Sequence, residues 1–431
     1  MLTELELLDA KAQSTIPSLH KIFRYPAKFH PPVARALVER YTEPGEVVLD
    51  PFCGSGTLLS EALTLDRSAI GSDIDPVAVE ISYTKSAPID PETVREALSD
   101  LRAALTPYER TVTHYSSHED IATDQFEDEV IDVADWVPPI PNIHHWFRRY
   151  VIVDLAHIRR EIHNLECGSD VKRAINVAFG ASIRNSSNAD PVPVSGLEVT
   201  SHMRRLEERG RVVSPFANFH RTATRLMRGV SELASARGDG VASRVLRGDA
   251  TQVHTIIDSA DAIITSPPYH NAVDYYRRHN LEMYWMGLVA DYSARLDLLP
   301  GYIGRPRVPR STPRLQGWEP PSGLVAEWSQ QIRAANTQRA TDFDHYMASM
   351  EMCFSSFARV LPREGRLVLV VANSTWNGEA IPTASLFEQL ANPYFQAAEL
   401  LSYPLRNRYM SYSRHNGADI HTELVLSYVA R

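Results

Sequence analysis

Three short segments of this 431-residue chain combine residue types and spacing that could perform chemistry. The first, residues 50–57, reads Asp-Pro-Phe-Cys-Gly-Ser-Gly-Thr and directly follows the apolar run at 47–49. Glycine and serine in such a turn let a ligand approach the backbone, and the amides at the start of the next helix favour a carboxylate or phosphate. The spacing is neither the GxGxxG dinucleotide fingerprint nor a P-loop, which argues against NAD and ATP.

The second segment, residues 71–76, reads Gly-Ser-Asp-Ile-Asp-Pro and lies about twenty residues further along the chain. An acidic residue at the tip of a strand can accept two hydrogen bonds from ribose hydroxyls, which predicts that adenosine is bound here. Asp73 ends the apolar run and is the better ribose candidate. Asp75 precedes Pro76 and is the better helix N-cap.

The third segment, residues 263–269, reads Ile-Ile-Thr-Ser-Pro-Pro-Tyr. Two prolines fix the backbone and leave carbonyl oxygens without neighbouring amides to bond, so these oxygens can accept from a ligand amine. The tyrosine ring can stack on a base. Prolines at the carboxyl end of a buried strand spoil the ladder without structural benefit, which favours a functional role.

The elements that must position these segments alternate between strand and helix. A strand at 47–49, a helix at 57–65 and a strand at 68–73 form a βαβ unit, which places the first segment at the carboxyl end of a parallel sheet. Further strands are predicted at 243–246, 262–264, 366–371 and 423–429. The predicted fold class is therefore α/β, with a doubly wound and mostly parallel sheet.

The strand signals stop between residues 91 and 239, where amphipathic helices with polar breaks predict an inserted, mainly helical lobe. This division leaves a catalytic domain made of residues 1–90 and 240–431. Within the catalytic part, an Arg- and Pro-rich stretch at 300–322 has a composition typical of a surface arm.

Composition bounds the class of protein. With 44% hydrophobic and 23% charged residues the chain has an ordinary globular mix, which excludes disordered, collagenous and coiled-coil classes. The apolar stretches fall far short of the ~20 residues of a transmembrane helix, and the N-terminus is acidic. Three cysteines lie far apart, so a folded soluble protein of a reducing cytosol is expected. The sixteen histidines show no HExxH pattern, and we predict no metal site.

At these motifs the chain resembles the S-adenosylmethionine-dependent amino-methyltransferases of DNA, which modify the N4 amine of cytosine or the N6 amine of adenine. Residues 50–57 look like the cofactor loop of that family, and residues 266–269 look like its catalytic tetrapeptide. Residues 21–37, with Tyr-Pro-Ala-Lys-Phe-His-Pro at 25–31, are similar to the family's segment that lies ahead of the cofactor loop and closes over the methionine moiety. Residues 247–250 look like its third cofactor motif. The resemblance covers about residues 20–90 and 240–431 and implies a Rossmann-like class I methyltransferase fold.

The cofactor implied by this resemblance is S-adenosyl-L-methionine. Asp73 would contact the ribose, and Asp249 would lie near the adenine amine. The implied cofactor-binding residues are Tyr25, Lys28, Phe29, His30, Asp50, Pro51, Phe52, Cys53, Gly54, Ser55, Gly56, Thr57, Asp73, Ile74, Asp249 and Ala250.

The implied catalytic residues are Ser266, Pro267, Pro268 and Tyr269. The Ser266 side chain and the Pro267 carbonyl could accept the two amine hydrogens, and Tyr269 could hold the base by stacking, so that orientation carries much of the rate enhancement. Serine is no useful base at neutral pH, and we expect proton loss to follow methyl transfer and to end in water. No Pro-Cys dipeptide occurs, which argues against cytosine-C5 chemistry and leaves Cys53 a packing role.

The implied partner is double-stranded DNA, with the target base flipped into a pocket near Tyr269. The net charge of −9 opposes a polyanionic partner, but binding is local and basic residues cluster along the chain. We interpret residues 91–239 as the target-recognition lobe, although the aromatic-basic cluster at 144–150 equally suits a packed amphipathic helix. The same alternative applies to residues 271–285. The arginines predicted to contact DNA are Arg148, Arg149, Arg204, Arg205, Arg277, Arg278, Arg305, Arg307, Arg310, Arg314, Arg406, Arg408 and Arg414.

The Ser-Pro-Pro-Tyr spelling is most typical of cytosine-N4 enzymes, and some adenine-N6 enzymes share it. The leading prediction is therefore a site-specific cytosine-N4 DNA methyltransferase of the prokaryotic cytosol or nucleoid, and the resemblance allows a cognate restriction enzyme as a partner. The alternatives are an adenine-N6 enzyme, a guanosine-N2 type RNA methyltransferase, and a silent nucleic-acid-binding protein on the same fold.

Overall fold

The computed structural model describes residues 13–109, 132–192, 197–270, 274–404 and 422–431, together with the backbone of a short strand at 6–7. The strands are β1 (Glu6–Leu7), β2 (Val47–Asp50), β3 (Ser68–Asp73), β4 (Ser243–Arg247), β5 (Ala262–Thr265), β6 (Arg366–Val371), β7 (Ser374–Trp376), β8 (Glu379–Ile381), β9 (Phe395–Pro404) and β10 (Thr422–Ala430). Strands β7 and β8 form a separate antiparallel hairpin.

The described helices comprise a set near the sheet and a set within residues 91–239. They are α1 (Pro31–Tyr41), α2 (Thr57–Leu63), α3 (Pro76–Thr84), α4 (Pro91–Leu105), α5 (Ile143–Trp146), α6 (Arg149–Asn164), α7 (Ser169–Ser186), α8 (Ser201–Glu208), α9 (Pro215–Ala236), α10 (Tyr275–Arg278), α11 (Asn280–Trp285), α12 (Tyr292–Leu296), α13 (Leu324–Ala335), α14 (Thr337–Val360) and α15 (Thr383–Ala391). Among the described segments, none of the helices has the length and apolar character that a bilayer crossing requires.

The main sheet has the strand order β4-β3-β2-β5-β6-β10-β9-β1. Its pairs are parallel except those that β10 makes with β6 and β9. The chain winds outward from β2 through β3 to β4, and then in the other direction from β5. The direction of winding therefore reverses between β2 and β5, and ligands bind at such a switch point in open α/β folds. The predicted doubly wound α/β fold is confirmed.

The central strands are continuous apolar runs because helices cover both faces of the sheet. All four residues of β5 are buried, and β6 is buried from its second residue onward. One face packs against α1 and α2, and the other packs against α14 and α15. This packing holds the carboxyl ends of β2 and β5 side by side, with Val48 paired to Ala262 and Leu49 to Ile263.

The described parts of residues 91–239 contain helices and no strand, as the periodicity predicts. Their apolar faces form one core together with residues 16–25 and 276–289, so segments on both sides of the predicted boundaries pack against the helices. The aromatic cluster at 144–150 contributes to this core through Phe147 and Tyr150, each 1% exposed. Phe147 and Tyr150 are therefore core residues, as the packed-helix alternative predicts.

The stretch at 300–322 differs from the expected surface arm. Tyr302, Ile303, Val308 and Thr312 are buried, because the apolar residues between the arginines have a core to pack against. Gly304 has φ +78°, and a Cβ at this position would lie 3.2 Å from the Tyr269 carbonyl oxygen. The stretch thus packs directly against the end of the catalytic tetrapeptide.

Candidate active site

A cleft of about 790 Å³ opens at the carboxyl ends of β2, β3 and β5. All of the predicted cofactor residues line the cleft except Gly56 and His30, which are N-caps of helices α2 and α1. Two residues of the tetrapeptide, Ser266 and Pro268, also line it. The structure therefore brings the three segments together around one cavity.

The loop after β2 depends on two glycines with left-handed backbone. Gly54 has φ +48° and a Cβ there would lie 3.2 Å from the Tyr25 ring, while Gly56 has φ +67° and a Cβ would lie 2.8 Å from Ser82 Cα. A larger residue would meet backbone or an aromatic ring at either position. The loop is thus a cradle that only glycine permits. Burial raises the pKa of the neighbouring Cys53 thiol well above its usual value, in agreement with a packing role.

The two acids after β3 have different partners. The Asp73 carboxylate accepts from the Gly54 amide and the Asp75 amide, each at 2.9 Å. Asp75 is the N-cap of α3, accepting from the Val77 amide at 2.8 Å, and its other oxygen lies 2.7 Å from His279 Nδ1. The cap expected at Asp75 is therefore present, and Asp73 keeps acceptor capacity at the cleft wall.

Two carboxyl groups at the cleft have strongly perturbed acidity. Asp50 is 2% exposed, and its Oδ1 accepts from the Thr265 hydroxyl at 2.6 Å and from the Phe52 amide at 3.1 Å. Burial raises the pKa of Asp50 to about 7 against these hydrogen bonds. Burial, with the Asp75 charge adding to it, also raises the pKa of Asp73 to about 7. A cationic or hydroxyl-bearing ligand in the cleft would stabilise the ionised form of both carboxyl groups.

The segment ahead of α1 closes one side of the cleft. The Tyr25 ring stacks on Tyr275 at a centroid distance of 5.7 Å and lies 4.9 Å from the His279 ring. Lys28 lines the cleft and donates from Nζ to the His20 carbonyl at 2.7 Å. Burial lowers the pKa of Lys28, and the nearby Lys21 adds to this effect.

The motif after β4 is held by the Arg- and Pro-rich stretch at 300–322, which was expected to be a surface arm. Asp249 caps a short 3₁₀ helix, accepting from the amide and hydroxyl of Thr251 at 3.0 and 2.8 Å. Its other oxygen forms an ion pair with Arg314, which also donates to Ser349 Oγ at 3.3 Å. The prediction that Arg314 contacts DNA is therefore at odds with the structure, because its guanidinium supports the cofactor wall.

The tetrapeptide is tied to the last strands of the sheet. The Ser266 hydroxyl donates to the Val370 carbonyl at 3.2 Å. The Tyr269 hydroxyl donates to Glu423 Oε1 at 2.7 Å, and Tyr403 donates to the other oxygen of the same carboxylate. Burial, reinforced by the Glu423 charge, raises the pKa of Tyr269 well above its usual value, so the phenol stays protonated.

Part of the cleft wall comes from residues that the sequence motifs do not predict. Gly301, Tyr302 and Ile303 line it from the stretch after α12, and Tyr275 lines it from α10. Tyr275 lies in the aromatic and basic stretch that the sequence did single out, whereas the other three follow no motif. Ala27, Asp75 and Gly248 also line the cleft. Ala27 and Gly248 are each next to a predicted cofactor residue, and Asp75 was predicted as a helix N-cap.

The predicted DNA-contacting arginines separate into buried and exposed groups. Arg148 is 8% exposed, pairs with Glu207 and donates to the Arg211 carbonyl at 2.9 Å; Arg278 is 7% exposed. We therefore leave these two out of the proposed DNA surface. Arg305 is half-buried. Arg406, Arg408 and Arg414 lie outside the described residues. The exposed members are Arg149, Arg204, Arg205, Arg277, Arg307 and Arg310.

The strand order, the glycine cradle and the acid after β3 are those of a class I methyltransferase fold. A family profile described as DNA methylase matches residues 8–84. Type II methyltransferase M.MvaI of Kocuria varians is 23% identical over 397 residues, covering 87% of this chain and 81% of the relative. Type II methyltransferase M.BsoBI of Geobacillus stearothermophilus is 23% identical, covering 63% of this chain and 53% of the relative.

Two further similarities involve RNA-modifying proteins. A tRNA (guanine(10)-N2)-dimethyltransferase of Methanocaldococcus jannaschii is 42% identical over 73 residues, which is 16% of this chain and 20% of the relative. The solved structure of the rRNA methyltransferase aviRa from Streptomyces viridochromogenes covers 99% of this chain and 96% of its own, with 12% identity and a TM-score of 0.33. Such a score carries no weight for the fold, which rests on the strand order.

These similarities support an S-adenosylmethionine-dependent DNA amino-methyltransferase of the N4/N6 type, with S-adenosylmethionine as the methyl donor. The residues present fit this cofactor. The glycine cradle lets a ligand approach the backbone closely. Asp73 has acceptor capacity for ribose hydroxyls, and the buried carboxyl of Asp50 can pair with a cationic group.

Proposed function

We propose that this protein methylates the exocyclic N4 amine of a cytosine flipped out of double-stranded DNA. The observation that carries the proposal is the Ser-Pro-Pro-Tyr tetrapeptide at the carboxyl end of β5, where Ser266 and Pro268 line the cofactor cleft. When bound, S-adenosylmethionine supplies a methyl group activated by its sulfonium charge. The protein then has to hold the amine and the base in the correct orientation, because the amine lone pair is delocalised into the ring.

Ser266 acts as a hydrogen-bond acceptor in this proposal. Its hydroxyl proton is directed to the Val370 carbonyl, so the oxygen lone pairs are available to the target amine. The Pro267 carbonyl accepts the second amine hydrogen. Because serine is not a base at neutral pH, the surplus proton of the methylated amine passes to water.

Tyr269 provides a face on which the flipped base stacks. Its hydroxyl is held by Glu423, which fixes the orientation of the ring. Stacking of a base on an aromatic side chain contributes about 1–3 kcal/mol. This energy offsets part of the few kcal/mol that flipping the base costs.

The DNA surface in this proposal consists of the exposed arginines, with Arg307 and Arg310 beside the cleft wall and Arg204 and Arg205 on α8. The helical lobe is the target-recognition element. Similarity to Type II methyltransferases supports site-specific methylation of DNA. A cognate restriction enzyme as a partner stays a prediction.

The test is nucleoside mass spectrometry of unmethylated genomic DNA, with total RNA in parallel, after incubation with protein and methyl-labelled S-adenosylmethionine. Label in N4-methylcytosine is the expected result. Label in N6-methyladenine would keep the amino-methyltransferase class and refute the target base, and label in RNA alone would refute DNA as the substrate.

Active-site variants make the test specific. Ser266→Ala and Tyr269→Ala should abolish transfer while cofactor affinity stays within about twofold, since neither side chain is needed to bind the methyl donor. Ser293→Ala, which changes an exposed serine on α12, is the matched control and should retain full activity. Normal turnover by either active-site variant would refute the assigned roles.

A further inference from the structure

A lysine is buried directly beneath the cofactor loop. Lys85 follows the last turn of α3, is 2% exposed and donates from Nζ to the Ser55 carbonyl at 2.6 Å. Burial lowers the pKa of this amine well below its usual value, and the nearby Lys28 charge adds to the effect while Glu61 opposes it. A buried ammonium destabilises a fold unless it is well paired, and an apolar side chain of similar length would fill the same space without that penalty.

The same helix holds a second carbonyl of the loop. The Ser82 hydroxyl donates to the Gly54 carbonyl at 2.8 Å. Neither Ser82 nor Lys85 lines the cleft, so two consecutive loop carbonyls bond to groups outside it. A carbonyl oxygen that turned towards the cleft would repel a carboxylate there and would remove the positive environment that the amides provide.

The support behind the loop also reaches the opposite wall of the cleft. His20 Nε2 lies 2.7 Å from Glu61 Oε1 on α2, and the His20 carbonyl accepts from Lys28 at 2.7 Å. Burial lowers the pKa of His20 to about 4, so this ring is neutral at physiological pH. The contacts beneath the loop therefore connect its base to the segment that closes over the cleft.

We propose that Lys85 is a positioning residue for the cofactor. By donating to the Ser55 carbonyl, its Nζ holds that carbonyl away from the cleft and fixes the loop in the conformation that accepts the methionine carboxylate of S-adenosylmethionine. The proposal rests on the assignment of S-adenosylmethionine as the methyl donor.

The test compares Lys85→Met with the parent chain. Isothermal titration calorimetry with S-adenosylmethionine should give a Kd raised about 10- to 100-fold, as expected when a buried hydrogen bond is lost and its carbonyl acceptor is left unpaired. The KM for the cofactor should rise similarly, while kcat at saturating cofactor stays within about twofold. The melting temperature should fall only modestly, because the variant removes a buried amine but leaves the Ser55 carbonyl without its donor.

Two further variants separate the possible causes. Lys85→Gln keeps a donor without the charge, and we expect a smaller rise in Kd. Lys172→Met is the matched control, because Lys172 also donates to a main-chain carbonyl, that of His163 at 2.8 Å. Lys172 is remote in sequence from the loop, so this variant should bind S-adenosylmethionine like the parent chain.

The outcomes that would overturn the proposal are distinct. Parent-like cofactor affinity in Lys85→Met would refute it, whatever the stability of the variant. If that variant fails to fold, Ser82→Ala tests the same support, and an unchanged Kd would refute the positioning role. Absence of binding by the parent chain would instead refute the cofactor assignment, and this proposal with it.

Discussion

Cofactor affinity should depend steeply on pH between 6 and 8. Asp50 and Asp73 both line the cleft, and burial raises the pKa of each carboxyl to about 7. A group with this pKa is roughly one-tenth ionised at pH 6 and nine-tenths ionised at pH 8. If the cofactor binds the ionised forms, the Kd should rise about tenfold from pH 8 to pH 6 for one carboxyl and about 100-fold for both.

Stability of the cofactor-free chain should change in the opposite direction. The folded pKa of each carboxyl lies above the unfolded value of about 4, so the folded chain binds more protons between pH 4 and 7. These two groups therefore favour the folded state at the acidic end of that window, and their contribution is lost as pH rises to 7. The melting temperature without cofactor should fall across this window, while the increase that cofactor produces should grow from pH 6 to pH 8.

The assay is calorimetric titration with S-adenosylmethionine at closely spaced pH values, with differential scanning fluorimetry in parallel. Asp50→Asn and Asp73→Asn should each flatten the pH profile. Asp261→Asn is the control, because Asp261 is exposed and only accepts from the Val47 amide at 2.8 Å. A parent Kd that is constant from pH 6 to 8, or a slope that survives in both cleft variants, would refute the reasoning.

Three other changes test the cradle, the lobe and the tetrapeptide. Gly56→Ala should lower the melting temperature and weaken cofactor binding, because its Cβ would lie 2.8 Å from Ser82 Cα; a parent-like thermal scan would contradict this. Arg148→Met should destabilise the fold by about 1–3 kcal/mol in a urea titration, because Glu207 keeps Arg211 but loses Arg148, and the Arg211 carbonyl loses its donor. Glu423→Gln should raise the KM for DNA about tenfold with unchanged cofactor affinity, because the Tyr269 ring loses its charged acceptor; equal DNA kinetics would exclude that role.

Much of the fold follows from local patterns in the sequence. Strands β2, β3, β5 and β6 match the predicted segments to within one residue, because buried parallel strands are short continuous apolar runs bounded by turn residues. Strand β9 was not predicted. Only four of its ten residues are buried, so its pattern is not that of a central strand.

The motif residues of the site were predictable for a topological reason. Parallel strands end at one edge of the sheet, so segments that follow β2, β3 and β5 converge even when far apart in sequence. The wall at residues 301–303 could not be found in this way, because it follows no strand and lies there only through tertiary packing.

The arginines show that local sequence also does not predict which side chains are exposed. Arg148 and Arg149 are neighbours in sequence, yet one is buried in an ion pair and the other is exposed. Nothing local distinguishes them, since the partner Glu207 is distant in sequence. The composition of the chain therefore indicates basic clusters, and only the packed structure tells which of their charges can reach a phosphate.

The long crossover between β3 and β4 has a consequence for how the chain folds. These strands pair over five residues, from Ala69 with Ser243 to Asp73 with Arg247, although the helical lobe lies between them in sequence. Pairing over so long a separation carries a large loop-closure entropy until the intervening helices are compact. We expect β4 to join the sheet late, after α4 to α9 have packed. Asp249, just beyond β4, would then be among the last cofactor residues to reach its place during synthesis, so slow folding of the lobe would delay the cofactor site itself.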